Sequence, residues 1–332
     1  MEFDYFIGID ISKNTLDFFV SKKGELLFQN KVTNSPEAIL AILKELKSIG
    51  VVLERSLFCM EHTGIYQEHL INILHKKKAY IWLESAVRIK RSGGLQRGKN
   101  DKVDAQRIAS YAYRNREEVK LWQPRREVVE RLKRLTCYRA RLISAKKQLS
   151  TPLTEEGPFV GRGGQLYFKD VLKGIEQSLF KVETSIGDLI RSDDELRRLF
   201  NIITSVNGIG TVTACHIIAA TNEFKEIDDP RKFACYAGVA PFEHSSGTSV
   251  RGRTRVSHLA NKTVKANLHM AALSARKSNV EIRNYYERKI AEGKHVMTVM
   301  NAVRNKLIHR IFACVKQNRK YENSYCSPLL NP

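Results

Sequence analysis

Four acidic residues in this chain have the type and spacing of a metal-binding set. Asp10 closes the apolar run YFIGID, Glu61 closes SLFCME, and Asp101 and Asp104 open the helix-like segment DKVDAQRIASYAYR. Asp101 and Asp104 stand three residues apart, so on a helix they share one face. An apolar run that ends in an acid reads as a buried strand delivering a carboxylate at its carboxyl end, where open α/β sheets place their ligands. Carboxylate oxygens are hard ligands, and without a neighbouring Cys or His cluster they suit Mg²⁺ or Mn²⁺ rather than zinc. Two-metal phosphodiester chemistry is the expectation. The plainer reading makes Asp101 a helix N-cap and Asp104 a charge complementing the helix dipole. It suits Asp10 and Glu61 less well, since a carboxylate ending an apolar strand needs a partner.

A second candidate lies in FACYAGVAPFEHSSGTSVRGRTRVSH, where Ser245-Ser246-Gly247 sits beside Arg251, Arg253 and Arg255. A small hydroxyl next to glycine allows close backbone approach, and guanidinium groups neutralise charge on an attacked phosphate. An ordinary polar loop also contains such a triplet, so the motif by itself decides little.

Charge narrows the partners. Fifty-six Lys and Arg against 35 Asp and Glu leave a formal +21, the footprint of a nucleic-acid-binding protein. No apolar run reaches the ~18 residues that span a bilayer, so a soluble, cytoplasmic protein without a membrane partner is expected. Six cysteines occur without a C-x-x-C pair, which reads as reduced, mostly buried thiols.

Those sites need elements to hold them. The first 33 residues alternate apolar runs and turns as an antiparallel three-strand meander. A helix follows from Ser35 and Pro36 with Ile39, Leu40, Leu43 and Leu46 on one stripe, then the strand SLFCM, then helix and strand again. This order is that of an α/β ribonuclease H-like domain, assigned to 1–124, in which the first strand lies beside the fourth. The Gly-rich stretch from Arg88 to Lys102 reads as a basic loop, with Arg88, Lys90, Arg91, Arg97 and Lys99 as phosphate contacts or simply solvated charges.

Residues 125–196 read as a helical coiled-coil arm whose two helices flank a loop at 151–166. Its first helix carries Arg131, Arg134 and Arg139 as nucleic-acid candidates, and its second has Leu172, Ile175, Leu179, Val182, Ile186 and Leu189 in steps of three and four. A mostly α-helical domain is expected over 197–320, with 321–332 as a tail. Its Gly208-Ile209-Gly210 turn between apolar helices resembles a helix-hairpin-helix module that holds a phosphate on backbone N–H groups; a plain helix–helix turn is the alternative.

Taken in order, GIDISK at 8–13, MEHTGIY at 60–66, NDKVDAQRIA at 100–109, VNGIG at 206–210 and AGVAP with SSG across 237–247 resemble the DEDD-type insertion-sequence transposases, which include the Piv-type DNA invertases. The resemblance implies a RuvC-like metal domain whose four acids are Asp10, Glu61, Asp101 and Asp104. It implies a C-terminal transposase domain in which Ser246 attacks DNA to form a covalent 5′-phosphoserine. It further implies a structured noncoding guide RNA pairing with donor and target DNA, and a homo-oligomer, dimer or tetramer, to cut two duplexes. One stretch departs from the family pattern: after the arginines a Lys and then Gly-Asn are usual, whereas His258, Ala260 and Asn261 stand here. Two rival readings remain: a junction endonuclease using metal-activated water, and a non-catalytic nucleic-acid-binding protein.

Overall fold

The computed structural model describes residues 2–92, 101–161, 163–246, 250–256 and 260–323, without the side chains of 101, 102, 156, 160, 165, 241–246 and 250–256. It divides into two compact units, Met1–Pro124 and Arg125–Pro332.

In the first unit β1 (Tyr5–Ile11), β2 (Thr15–Lys22) and β3 (Glu25–Thr33) form the meander. Lys23 and Gly24 alone join β2 to β3, both at positive φ (52° and 96°), as a two-residue hairpin requires. Then come α1 (Pro36–Ser48), β4 (Ser56–Glu61), α2 (Glu68–Lys76), β5 (Tyr80–Glu84), α3 (Ala86–Ser92) and α4 (Asp101–Arg114). The sheet order is β3-β2-β1-β4-β5, with β1 antiparallel to β2 and parallel to β4, the arrangement of a ribonuclease H-like sheet. Ser35 caps α1 by accepting a hydrogen bond from the Ala38 N–H. The buried stripe of α1 is Ile39, Ile42, Leu43 and Leu46; Leu40, expected on it, faces solvent.

The two sheet faces do different work. Ile7, Ile9, Phe18 and Val20 bury against α1 and α2 in one cluster, while Phe6, Leu57, Cys59 and Trp82 meet Ile108, Tyr111 and Ala112 of α4 in another. Residues 88–92, expected in the basic loop, belong to α3. Ile89 is why: its side chain is buried in the α4-side cluster, anchoring a helical turn.

The second unit opens with α5 (Glu127–Val160) and α6 (Gln165–Ser192), an antiparallel hairpin. Arg139–Glu183 and Lys146–Glu176, each 2.7 Å, pair across it, seven residues on in one helix and seven back in the other. The loop expected at 151–166 is a correction: α5 runs on through Pro152 and Pro158, and only 161–164 connect the helices. Proline's fixed φ is compatible with a helix, and the carbonyls it leaves without N–H donors, those of Gln148 and Thr154, lie on a slender arm within reach of water.

Beyond the hairpin lie α7 (Asp194–Thr204), α8 (Thr211–Thr221), α9 (Pro230–Tyr236), a two-stranded antiparallel ribbon of β6 (Pro241–Ser246) and β7 (Val250–Val256), then α10 (Lys262–Ser278), α11 (Val280–Ala291) and α12 (Val296–Lys316). Leu132 of α5 and Ile186 and Leu189 of α6 share one core with Leu199, Ile218, Leu268 and Leu307. The root of the arm and the helices after it are therefore one folding body rather than two.

Among the described residues no helix is long and apolar enough to cross a membrane. The five described cysteines are free thiols; Cys59, Cys215 and Cys314 are buried, and burial pushes Cys215 up to about 12. Cys326 lies outside the described residues.

Candidate functional site

The sheet register sets the first two acids side by side. Ile9 of β1 stands opposite Met60 of β4 in parallel pairing, so the next residues, Asp10 and Glu61, lie side by side near the carboxyl ends of two adjacent inner strands. The position of α4 follows from a missing side chain. A Cβ on Gly8 would lie 2.2 Å from the Ala105 carbonyl oxygen and 2.3 Å from the Ala109 nitrogen, so α4 rests directly on the β1 backbone. Further back along β1, Phe6 stacks edge-on against Tyr113 at 5.1 Å. The helix thus runs opposite to the strand, and its first turn, with Asp101 and Asp104, overlies the Asp10 end. The side chain of Asp101 lies outside the described residues; its backbone begins α4.

Burial raises the Glu61 carboxyl above the usual carboxylate range, and the charges of Asp10 and Asp104 add to the effect. Asp104 itself is ion-paired to Arg107 at 2.6 Å. The described carboxylates do not by themselves enclose an ion, since no three of them stand at ligating distance. The donor set nonetheless suits a hard cation: oxygen donors of β1, β4 and α4 lie toward the same end of the sheet, and burial pushes the adjacent thiol, Cys59, up.

Two further acids, missed in the sequence, extend the row. Asp17 of β2 stands opposite Asp10, and Glu84 of β5 stands opposite Glu61, so neighbouring strands carry four acids in a line. Both outer acids are neutralised by cations. Asp17 pairs with Lys31 at 3.1 Å. Glu84 pairs with Arg88 at 3.1 Å and accepts hydrogen bonds from the Tyr111 hydroxyl (3.0 Å) and the Ser85 N–H (2.7 Å). The Tyr111 hydroxyl is pushed up to about 12 by burial first and Glu84 second. The signal for Glu84 was available: it closes AYIWLE as Glu61 closes SLFCME.

The basic candidates divide by their partners. Arg88 is tied to Glu84 and to Glu118, and Arg139 to Glu183, whereas Lys90, Arg91, Arg131 and Arg134 are exposed. Arg97 and Lys99 lie outside the described residues. Ser246 is the last residue of β6, with Val250 opposite, and Arg251, Arg253 and Arg255 take alternate positions of β7; their side chains are not among those described. Gly208 sits at φ +90° so close to α10 that a Cβ would lie 2.5 Å from the Ala271 carbonyl oxygen, which gives it a packing role. Gly210 caps α8 without a side-chain hydrogen bond and with open space beside it. Where the family pattern carries Gly-Asn, Asn261 caps α10 by accepting from the Val264 N–H, so the alanine before it leaves the helix start intact.

This chain is similar to known proteins over most of its length. Residues 7–155 match a family model described as a transposase of the DEDD IS110 type, and residues 200–287 match the transposase IS116/IS110/IS902 family. The pilin gene-inverting protein of Moraxella bovis is 26% identical over 322 residues, 96% of this chain and 97% of that protein. Its counterpart in Moraxella lacunata is 25% identical over the same shares. The insertion element IS110 43.6 kDa protein of Streptomyces coelicolor is 27% identical over 46% of this chain and 36% of its own length.

Proposed function

This chain is a DEDD-type insertion-sequence transposase, a DNA recombinase, and from that premise we propose that it cuts and rejoins DNA through a covalent 5′-phosphoserine on Ser246. What carries the reading is the delivery of Asp101 and Asp104 onto the end of β1, enforced by the bare backbone at Gly8. Asp10, Glu61, Asp101 and Asp104 would hold Mg²⁺ or Mn²⁺, which when bound offsets charge on the phosphate under attack.

The Ser246 hydroxyl gives up its proton and bonds to phosphorus, and the P–O3′ bond breaks to leave a protonated 3′-hydroxyl. The bond energy is kept in the seryl phosphodiester, so a 3′-hydroxyl attacks it in reverse to rejoin strands without an energy cofactor. Arg251, Arg253 and Arg255 supply positive charge near the serine in sequence. Lys90, Arg91, Arg131 and Arg134 contact backbone phosphates of donor and target DNA and of a noncoding guide RNA. Pairing to that RNA supplies sequence choice, which suits a chain without a base-reading motif. Two duplexes need more than one active centre, so the working enzyme is a homo-oligomer, a dimer or tetramer. Phe159 and Tyr167, 89% and 82% exposed near the hairpin turn, support contact between copies there.

The test is denaturing electrophoresis of the enzyme with end-labelled DNA and the transcript from its flanking noncoding region. The expected result is a Mg²⁺-dependent, SDS-resistant protein–DNA species that Ser245→Ala keeps and Ser246→Ala abolishes. Free 5′-phosphate products from Ser246→Ala would instead assign attack to water.

A further inference from the structure

We propose that the root of the β6–β7 ribbon holds a phosphate-binding site, formed by Arg304, His269 and Lys265, that anchors a nucleic-acid strand away from the bond being cut. The identity of its ligand rests on the transposase reading; the site itself rests on the following geometry.

Arg304 of α12 is 3% exposed, yet no carboxylate pairs with it among the described residues. Its Nη1 donates to Asn301 Oδ1 at 3.3 Å, its Nη2 contacts His269 Nδ1 at 3.1 Å, and its Nε is buried without a partner. A buried guanidinium without a counter-ion carries a heavy desolvation penalty, and burial pulls its proton affinity down. An anion is the missing component.

The neighbours are donors as well. A guanidinium cannot accept, so His269 Nδ1 accepts from Arg304 and the ring proton sits on Nε2, available to a ligand. Burial, with the Arg304 charge second, lowers the His269 pKa and keeps this neutral donor form. Lys265 lies four residues earlier on the same face of α10. Its Nζ is 3.7 Å from where a Cβ on Gly238 would stand, and it has no ion pair among the described residues. Asn301 Nδ2 donates to the Val239 carbonyl at 2.6 Å, joining the group to the residues that lead into β6. The chain after the ribbon is fastened there too, by the Asn261 N–H to the Tyr236 carbonyl at 2.8 Å.

Lys265 and His269 are partly exposed, so a phosphate approaches over them while Arg304 supplies charge from beneath. A fixed guanidinium, an ammonium and a neutral N–H around one spot, with no acid among them, suit a tetrahedral oxyanion. The bound phosphate is not the reacting one. Along β6, Ser246 stands five residues beyond Pro241 at the root, about 17 Å of strand. At about 3.4 Å of rise per nucleotide, the anchored phosphate sits about five nucleotides from the bond that is cut.

The test uses the full-length protein with inorganic phosphate and a short single-stranded DNA. Wild type should melt higher when phosphate replaces chloride at constant ionic strength. Arg304→Met should melt at or above wild type in phosphate-free buffer, lose the phosphate response, and bind the oligonucleotide about tenfold more weakly. Lys265→Met, a partly exposed change, should also lose the response and reduce the salt dependence of binding by about one phosphate contact. A Ser246→Ala protein keeps the phosphate response, which separates this site from the serine chemistry. Arg304→Met melting below wild type would mark the guanidinium as a structural strut and overturn the proposal. So would a phosphate response in Lys265→Met equal to that of wild type.

Discussion

Glu61 is the residue whose environment speaks most directly to chemistry. Burial, Asp10 and Asp104 hold its carboxyl above the usual range. The folded state therefore binds this proton more tightly than the unfolded chain, and stability falls as pH rises from the ordinary carboxylate pKa through the raised one. Above the raised value the metal-free protein carries the whole penalty. Glu61→Gln should thus melt above wild type in metal-free neutral buffer, match it in acid below that window, and recombine no DNA. Mg²⁺ should raise the neutral melting temperature of wild type but not of the variant. A variant less stable than wild type at neutral pH would show that the carboxylate serves packing rather than ion binding.

At the scale of elements, α4 is positioned by contacts other than those of its acids. Its first turn overlies the Asp10 end because Gly8 lets Ala105 and Ala109 touch β1, and Tyr111, six residues past Ala105, reaches Glu84. Gly8→Ala forces a methyl group into the Ala105 carbonyl, and backbone cannot yield as a side chain tip would. The expected cost is about 3 kcal/mol. Strand cleavage should fall far more than DNA binding, because the helix shifts while the basic surface stays. Chemical denaturation beside cleavage and mobility-shift assays checks this; full cleavage by Gly8→Ala would remove the role assigned to that contact.

The chain forms two compact units joined in sequence at Pro124 and Arg125. A core substitution in one should leave the other intact. Leu199→Ala, at a site 1% exposed, should cost its unit about 2 to 5 kcal/mol. Calorimetry should then show one transition moved down and the transition of residues 1–124 unchanged. Simultaneous loss of both would mean that the units unfold as one. At +21, nucleic-acid binding should also weaken steeply with salt.

Much of this was legible in the chain. Strand alternation, the Ser35-Pro36 helix start and acids closing apolar runs foretold the first unit and placed Asp10 beside Glu61, because period and capping are local properties that side chains announce in order. The stripe from Leu172 to Leu189 likewise marked the packed side of α6. Other features depended on partners distant in sequence. Residues 151–166 read as a loop, yet α5 continues to Val160 through Pro152 and Pro158. Arg88 and Arg139 read as free cations until the fold brought acids to them. Asp17 joined the acid row only through strand register, and Arg304 became a buried charge only when α12 packed against α10. Local sequence set which segments form and what they carry; the tertiary fold alone decided which charges meet, because desolvation and pairing energies belong to the assembled neighbourhood.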